Sequence, residues 1–400
     1  MTAIDQRAIF AVRPARAVGR PVEDRIAGFD GVRAIAVLMV FISHKTTLPH
    51  HDSYGSVGVW LFLVLSGMLI SSILSEMRGK VEAGTQSSWR SMGDFYLRRS
   101  LRIFPLYYAC LGVFALGSLF TSFVGFSRIE ATIYAFYGTN IYFWMTPTGD
   151  HGHFGHLWSL SAEEQFYLLF APILLFTPRK YLARICIGFM LAGAAMLAWL
   201  VSVKTHPNAI HVDPLIAFGM LGVGGFIASL KNFKPPALLV SAQAQAAAGL
   251  ALIAIPLIFG YFRDTWNIWG PLTCTVAGLF LFQIARNQQT PIVAFLNLWP
   301  LRSLGRVSYA FYVLHQFVHY YDVQAVFHKL HVDIDAPLIV QPALELFITV
   351  ALATLSWHFF ERPFLRLGAR LTAREGAEAS SATAALTPAG KGRRDRCGRS

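Results

Sequence analysis

Ten apolar runs, each long enough to cross a bilayer, follow one another along this chain. They lie at about 33–49, 56–76, 103–123, 158–177, 182–203, 214–230, 243–262, 267–285, 307–327 and 338–359. A helix needs about 20 apolar residues to cross a hydrocarbon layer ~30 Å thick. Within that layer the backbone must satisfy its own hydrogen bonds, which leaves helices as the solution for runs of this length. The pattern predicts an all-α, polytopic membrane helical bundle of about ten transmembrane helices. A further stretch at 131–145, ATIYAFYGTNIYFWM, is aromatic and broken by Gly138 and Asn140. It is expected to be a short interfacial or re-entrant segment, because a span there would invert every later loop. Charged residues make up only 14% of the chain, against about 25% in soluble domains.

Orientation follows from the basic residues, which concentrate on cytoplasmic loops. With the N-terminus inside, 29 of the 34 Lys and Arg fall on inner segments. Lys45, Arg128, Lys204, Arg263 and Lys329 are the other five. Both termini are then cytoplasmic, and most of the +12 net charge is a topology signal, with no nucleic-acid partner required. The first run begins after about thirty residues, so the first helix is expected to stay as a signal anchor. Residues 1–27 are expected to be a basic disordered arm, 28–372 one membrane domain, and 373–400 a disordered basic tail. The four cysteines, Cys110, Cys186, Cys274 and Cys397, have neither metal-like nor disulfide-like spacing.

Polar islands interrupt the apolar pattern. In GFDGVRAIAVLMVFISH, Arg33 and His44 are eleven residues apart, almost three helical turns, so they share one stripe about 16 Å apart along the axis. They form either a polar path into the bundle or a helix-end Arg plus a core His bonded to a neighbour. Ionisable groups at membrane depth are functional candidates by default. FYLRRSLRIFPLYY crowds Arg98, Arg99 and Arg102 at what reads as a cytoplasmic helix entrance. Such a cluster suits an anionic ligand, but also fixes orientation or contacts anionic lipid. Pro105 is expected to kink that helix or to start it. In HLWSLSAEEQFYLLFAP, Ser159, Glu163 and Tyr167 line one helical face while Glu164 points about 100° away. Two acids near a helix start also simply suit its dipole.

GDHGHFGH holds His151, His153 and His156 in a Gly-rich loop without a fixed carboxylate or cysteine, so no metal is expected and His156 is kept as a candidate site residue. GSVGVWLFLVLSGMLI carries small residues that read as helix packing, with Ser66-Gly67 thinning the wall. LGRVSYAFYVLHQ contributes His315, as pore lining or as a structural bond. Glu361-Arg362-Pro363 reads as a cap on the last helix.

Taken in order, these islands resemble the bacterial acyltransferase 3 family of integral membrane O-acyltransferases, over about Gly28 to Phe364. The family's Arg–ten–His motif matches Arg33 and His44 without a gap. The resemblance implies transfer of an acyl group, with acetyl-CoA the expected donor, from the cytoplasm to a carbohydrate hydroxyl of lipopolysaccharide O-antigen, exopolysaccharide or peptidoglycan. It implies a bacterial cytoplasmic (inner) membrane location and no permanently bound cofactor. A sugar hydroxyl needs a positioned base, and histidine titrates near neutrality. His44 is therefore the expected catalytic residue, as base or as a transient acyl-imidazole. Glu163 is expected to support it, as the third group of a triad does, with Glu164 second. Arg33, Arg98, Arg99 and Arg102 are the expected donor-binding cations, since guanidinium suits phosphate. Ser159, Tyr167, His156 and His315 are the expected acceptor-side residues. Some family members carry an extracytoplasmic domain; none is expected here, which would leave a separate partner to complete transfer. The rival readings are a transporter of acyl groups or anions, and an acyltransferase for a small cytoplasmic acceptor such as a macrolide or lipo-oligosaccharide.

Overall fold

The computed structural model describes residues 26–48, 51–120, 127–148, 152–259, 266–319, 324 and 340–372. The expected basic arm, apart from its last two residues, and the expected tail lie outside the described residues, as does His151. Within them the chain is all-helical. In order it forms α1 Phe29–Lys45, α2 His51–Glu82, α3 Ser88–Phe120, α4 Arg128–Ala135, α5 Thr139–Met145, α6 Trp158–Phe176, α7 Leu182–Ser202 and α8 Pro207–Val212. Then come α9 Pro214–Ser229, α10 Ala242–Phe259, α11 Trp266–Arg286, α12 Pro291–Leu296, α13 Trp299–Arg306, α14 Ser308–Leu314 and α15 Gln341–Ser356. Four stretches are long and apolar enough by composition alone to cross a membrane: His51–Glu82, Arg179–Ser202, Pro214–Asn232 and Gln341–Thr372.

The central element is α2, which packs on α1, α3, α6, α9, α10 and α11 and is apolar almost all round, the pattern of a fully enclosed helix. Lipid offers no hydrophobic drive for helices to associate, so close backbone approach must hold them. Glycines provide it. A side chain at Gly67 would strike the Leu221 carbonyl of α9, and one at Gly224 of α9 would strike the Val64 carbonyl of α2. Large apolar side chains instead face outward on the perimeter, among them Leu191 and Trp199 of α7, Leu250 of α10 and Phe347 of α15.

Both ends of α1 are clamped. It starts after Gly28, whose φ of 91° is a left-handed conformation that glycine adopts freely. At Gly31 the helix touches the Leu296 carbonyl at the end of α12, and Gly305 of α13 touches the Asp30 carbonyl. At the other end, the Lys45 ammonium is buried 3.4 Å from the Glu345 carboxylate of α15 and donates to the Val318 carbonyl at 2.7 Å.

Three expected boundaries change. The third apolar run marks only the greasy part of α3, which begins at Ser88. Arg98, Arg99 and Arg102 are thus mid-helix rather than at its mouth, and Pro105 lies inside it. The ninth run is helical as α14 and then tightens into a 3₁₀ turn, His315–Phe317. The last helix does not end at Glu361: a π-turn at Trp357–Glu361 leads into helix continuing to Thr372. Pro363 has no N–H to donate to the preceding turn, so the ladder widens where it would otherwise fail. The stretch 131–145 forms the two short helices α4 and α5, broken at Tyr137–Gly138, where Tyr137 has φ 53°.

Candidate active site

Two polar clusters lie along α1, one around each end. At the Arg33 end, Nη1 sits 3.3 Å from the Asp30 carboxylate. Arg99 lies over the Tyr167 ring at 5.0 Å, a cation–π contact. The Tyr167 hydroxyl donates to Glu163 at 2.9 Å. Its single proton is then used, so the 2.5 Å contact with Ser66 has Ser66 donating. Arg33, Arg99 and Arg102 are within electrostatic range of one another, and Glu163 senses Arg99 and Arg102. Arg102 also faces Glu361, a buried carboxylate that takes a 3.3 Å bond from Ser356. Glu361 is therefore no cap; the π-turn carries it inward. Arg98 does not join the cluster through its Nε, which donates to the Asp94 carbonyl of its own helix at 3.1 Å.

At the other end, His44 Nδ1 and His315 Nε2 are 3.1 Å apart. His315 Nδ1 lies 2.6 Å from the Tyr312 carbonyl. A carbonyl only accepts, so that nitrogen carries the proton. In a neutral ring His315 Nε2 is then an acceptor, which makes His44 Nδ1 the donor. The consequence is specific: the lone pair of His44 is on Nε2. His156 approaches the His315 ring edge-on at 5.0 Å and bonds the Val313 carbonyl through Nε2 at 3.1 Å. Tyr312 donates to the His156 carbonyl at 2.5 Å, leaving Ser159 to donate to the Tyr312 oxygen at 2.7 Å.

Ser159 and Glu163 are one turn apart on α6, so Ser159 belongs to the histidine cluster and Glu163 to the arginine cluster. The support expected for His44 from Glu163 comes, in hydrogen-bonding terms, from His315. Glu164 points elsewhere; its Oε1 is buried without a hydrogen-bond partner among the described residues, within range of Arg99. His44 and Arg102 are each densely surrounded by protein yet keep an exposed surface, so neither lies in the sealed core.

Four contributors were not singled out as site residues: Lys45, Ser66, His211 and Glu361. His211 of α8 packs on Trp158 with ring centres 4.7 Å apart and lies in electrostatic range of His44. Lys45 and Glu361 had a usable signal, a charge abutting an apolar run. Ser66 and His211 had none, because their partners are over a hundred residues away or in another helix.

Comparison with known proteins adds an independent line. A family model described as an acyltransferase domain, that of the acyltransferase 3 family, matches residues 26–359. The peptidoglycan O-acetyltransferase OatA of Listeria monocytogenes is 27% identical over 86% of this chain and 56% of its own length. The O-acetyltransferase OatA of Staphylococcus aureus is 26% identical over 86% of this chain and 58% of its own length. The chain thus spans a little under three fifths of the length of these relatives. No solved structure matches it. With Arg33 and His44 on one helix and the family model running through nearly every described helix, this multi-pass membrane chain belongs to the acyltransferase 3 family.

Proposed function

We propose that this protein is a membrane O-acetyltransferase that moves an acetyl group from cytoplasmic acetyl-CoA to a hydroxyl of a cell-envelope carbohydrate. Its setting is the bacterial cytoplasmic membrane. In this reading ten spans with both termini inside run along α1, α2, α3, α6, α7, α9, α10, α11, the stretch that begins with the seven-residue α14, and α15, with α4 and α5 short and off the count. The basic loops then face the cytoplasm, the arginine cluster opens inward, and the histidine cluster opens outward.

The observation that carries the reading is the tautomer of His44. With Nδ1–H engaged by His315, Nε2 is the basic atom left for the acceptor hydroxyl. In the reaction Nε2 takes the proton of the acceptor hydroxyl as its oxygen attacks the thioester carbonyl. The C–O bond forms, the C–S bond breaks, and the departing thiolate takes the proton back from Nε2. Arg33, Arg99 and Arg102 bind the donor's phosphates, while Tyr167, held by Ser66 and Glu163, keeps Arg99 in place. Glu361 balances Arg102. Ser159, His156 and Tyr312 shape the acceptor side around His315. Arg33 and His44 are about 16 Å apart along α1. That matches the reach of coenzyme A from diphosphate to sulfur, about thirteen bonds at ~1.2 Å each in an extended chain. The naming of one relative as a peptidoglycan O-acetyltransferase supports a cell-wall glycan acceptor.

The test is CoA release by purified protein in nanodiscs, with and without cell-wall glycan, in wild type and His44→Gln. Glycan-dependent release that the variant lacks supports the reading. Equal turnover in both proteins removes His44 from the chemistry. Specific acyl-CoA binding with no turnover on any glycan would favour a carrier instead.

A further inference from the structure

On the far side of α2 from this site lies a cavity of about 670 Å³. Its walls come from the Glu82 end of α2, the turn at Arg179–Tyr181 that opens α7, and the Ser229 end of α9. The separation from the site is geometric. Ser75 lines the cavity and Ser66 touches Tyr167 in the site. Nine residues at 100° each put those two side chains on opposite faces of α2, about 14 Å apart along it. The roof is tight, because a side chain at Gly225 of α9 would run into Ser71 of α2 and Cys186 of α7. The cavity lies at the basic end of the bundle.

Its chemistry is that of an anion site. Four cations, Arg78, Arg179, Lys180 and Lys231, share the walls with one carboxylate, Glu82. Glu82 is already engaged by Arg78 at 3.4 Å and Arg179 at 3.7 Å, and it accepts from the Arg179 backbone N–H. Lys180 and Lys231 have no salt-bridge partner among the described residues. Ser75 is only 8% exposed and lines the cavity. Leu182, Ala183 and Ala228 also line it. A lining that combines cations, a serine hydroxyl and apolar side chains suits a phosphate ester that carries an apolar or neutral substituent.

We propose that this cavity is a second binding site, distinct from the transferase centre, for a phosphate ester: the headgroup of an anionic phospholipid or a soluble phosphate ester. Lys180 and Lys231 pair with the phosphate and Ser75 donates to it. The proposal is independent of the transferase reading.

The test uses the full chain in phosphatidylcholine nanodiscs, titrated with phosphatidylglycerol in one arm and adenosine 3′,5′-bisphosphate in the other, followed by native mass spectrometry. Wild type is compared with Lys180→Gln/Lys231→Gln and with Lys80→Gln/Lys234→Gln. The control pair removes the same charge from the same end of the bundle but lies outside the cavity. Near a membrane surface each cation is worth about fivefold in affinity, so the cavity variant is expected to lose roughly twenty-five-fold. Binding that is saturable, lost in the cavity variant and kept within about twofold in the control supports the site. The arm that saturates identifies the source. Equal losses in the two variants, or saturation in neither arm, would overturn the proposal.

Discussion

The two ends of α1 solve one problem by different means. At the Arg33 end, three guanidinium groups and three carboxylates, Asp30, Glu163 and Glu361, converge from α1, α3, α6 and the last helix, and the group is held by charge. At the His44 end, beside the Lys45–Glu345 ion pair that clamps the helix, the groups around His44 are imidazoles, hydroxyls and backbone carbonyls, held by directed hydrogen bonds that fix proton positions. Charge tolerates shifts of an ångström; a hydrogen bond that sets a tautomer does not. The first arrangement suits gripping a mobile polyanion, the second suits aiming one lone pair. Substitutions at the two ends should accordingly fail in different ways.

The sharpest expected difference is at His44. His44→Ala should lower kcat by about 10³-fold, within the range for losing a positioned base, with little change in KM for acetyl-CoA. Steady-state CoA release would check this, and a loss that appeared mainly in KM would erase the distinction between the ends. Next comes the buried pair beside it. Lys45→Met should destabilise the protein by about 3–5 kcal/mol by stranding Glu345, and Lys45→Met/Glu345→Met should recover most of that loss. Thermal unfolding in detergent measures both, and failure of the double variant to recover would mean that Lys45 acts chiefly through the Val318 carbonyl.

Smaller effects sharpen the contrast. His315→Phe keeps a ring in place but removes the acceptor that fixes His44 Nδ1–H. It should cost about 10²-fold in kcat with KM for acetyl-CoA unchanged, less than the ~10⁴ known for a charged orienting group. His315→Gln, which can still accept, should recover part of it; no difference between the two variants would reduce His315 to packing. Arg102→Gln should do the reverse, raising KM for acetyl-CoA about tenfold while kcat changes little, as loss of one charge-assisted phosphate contact implies. A kcat-only effect there would place Arg102 in the chemistry rather than in donor binding.

Much of the fold was legible because each span is a local property: apolar length marks α6, α7, α9 and α11 to within a residue or two. The errors came where polarity and helicity part company. Lipid ends near the arginines of α3, but helix propensity does not, so α3 starts fifteen residues before its apolar run. The last helix passes Pro363 because an extra residue in a π-turn absorbs the missing N–H, which no apolar count reveals. In the candidate site, Arg33 and His44 could be related from spacing alone because one helix carries both. His44 and His315 could not, since 271 residues separate them and nothing local states that α1 and α14 meet. Glu163 looked like the partner of His44 for the same reason: face and sign were readable on α6, but not which neighbour that face would meet.

The Lys45–Glu345 pair carries a consequence for how the protein is made. The two residues are 300 positions apart. At translation rates of about 5–20 residues per second, the carboxylate leaves the ribosome about 15–60 s after the lysine. Throughout that interval the first helix is inserted while the charge at its end lacks this counterion. The helix bearing His44 can therefore reach its final seat only once the last span arrives, and chains truncated before Glu345 would be membrane-inserted but without an assembled centre.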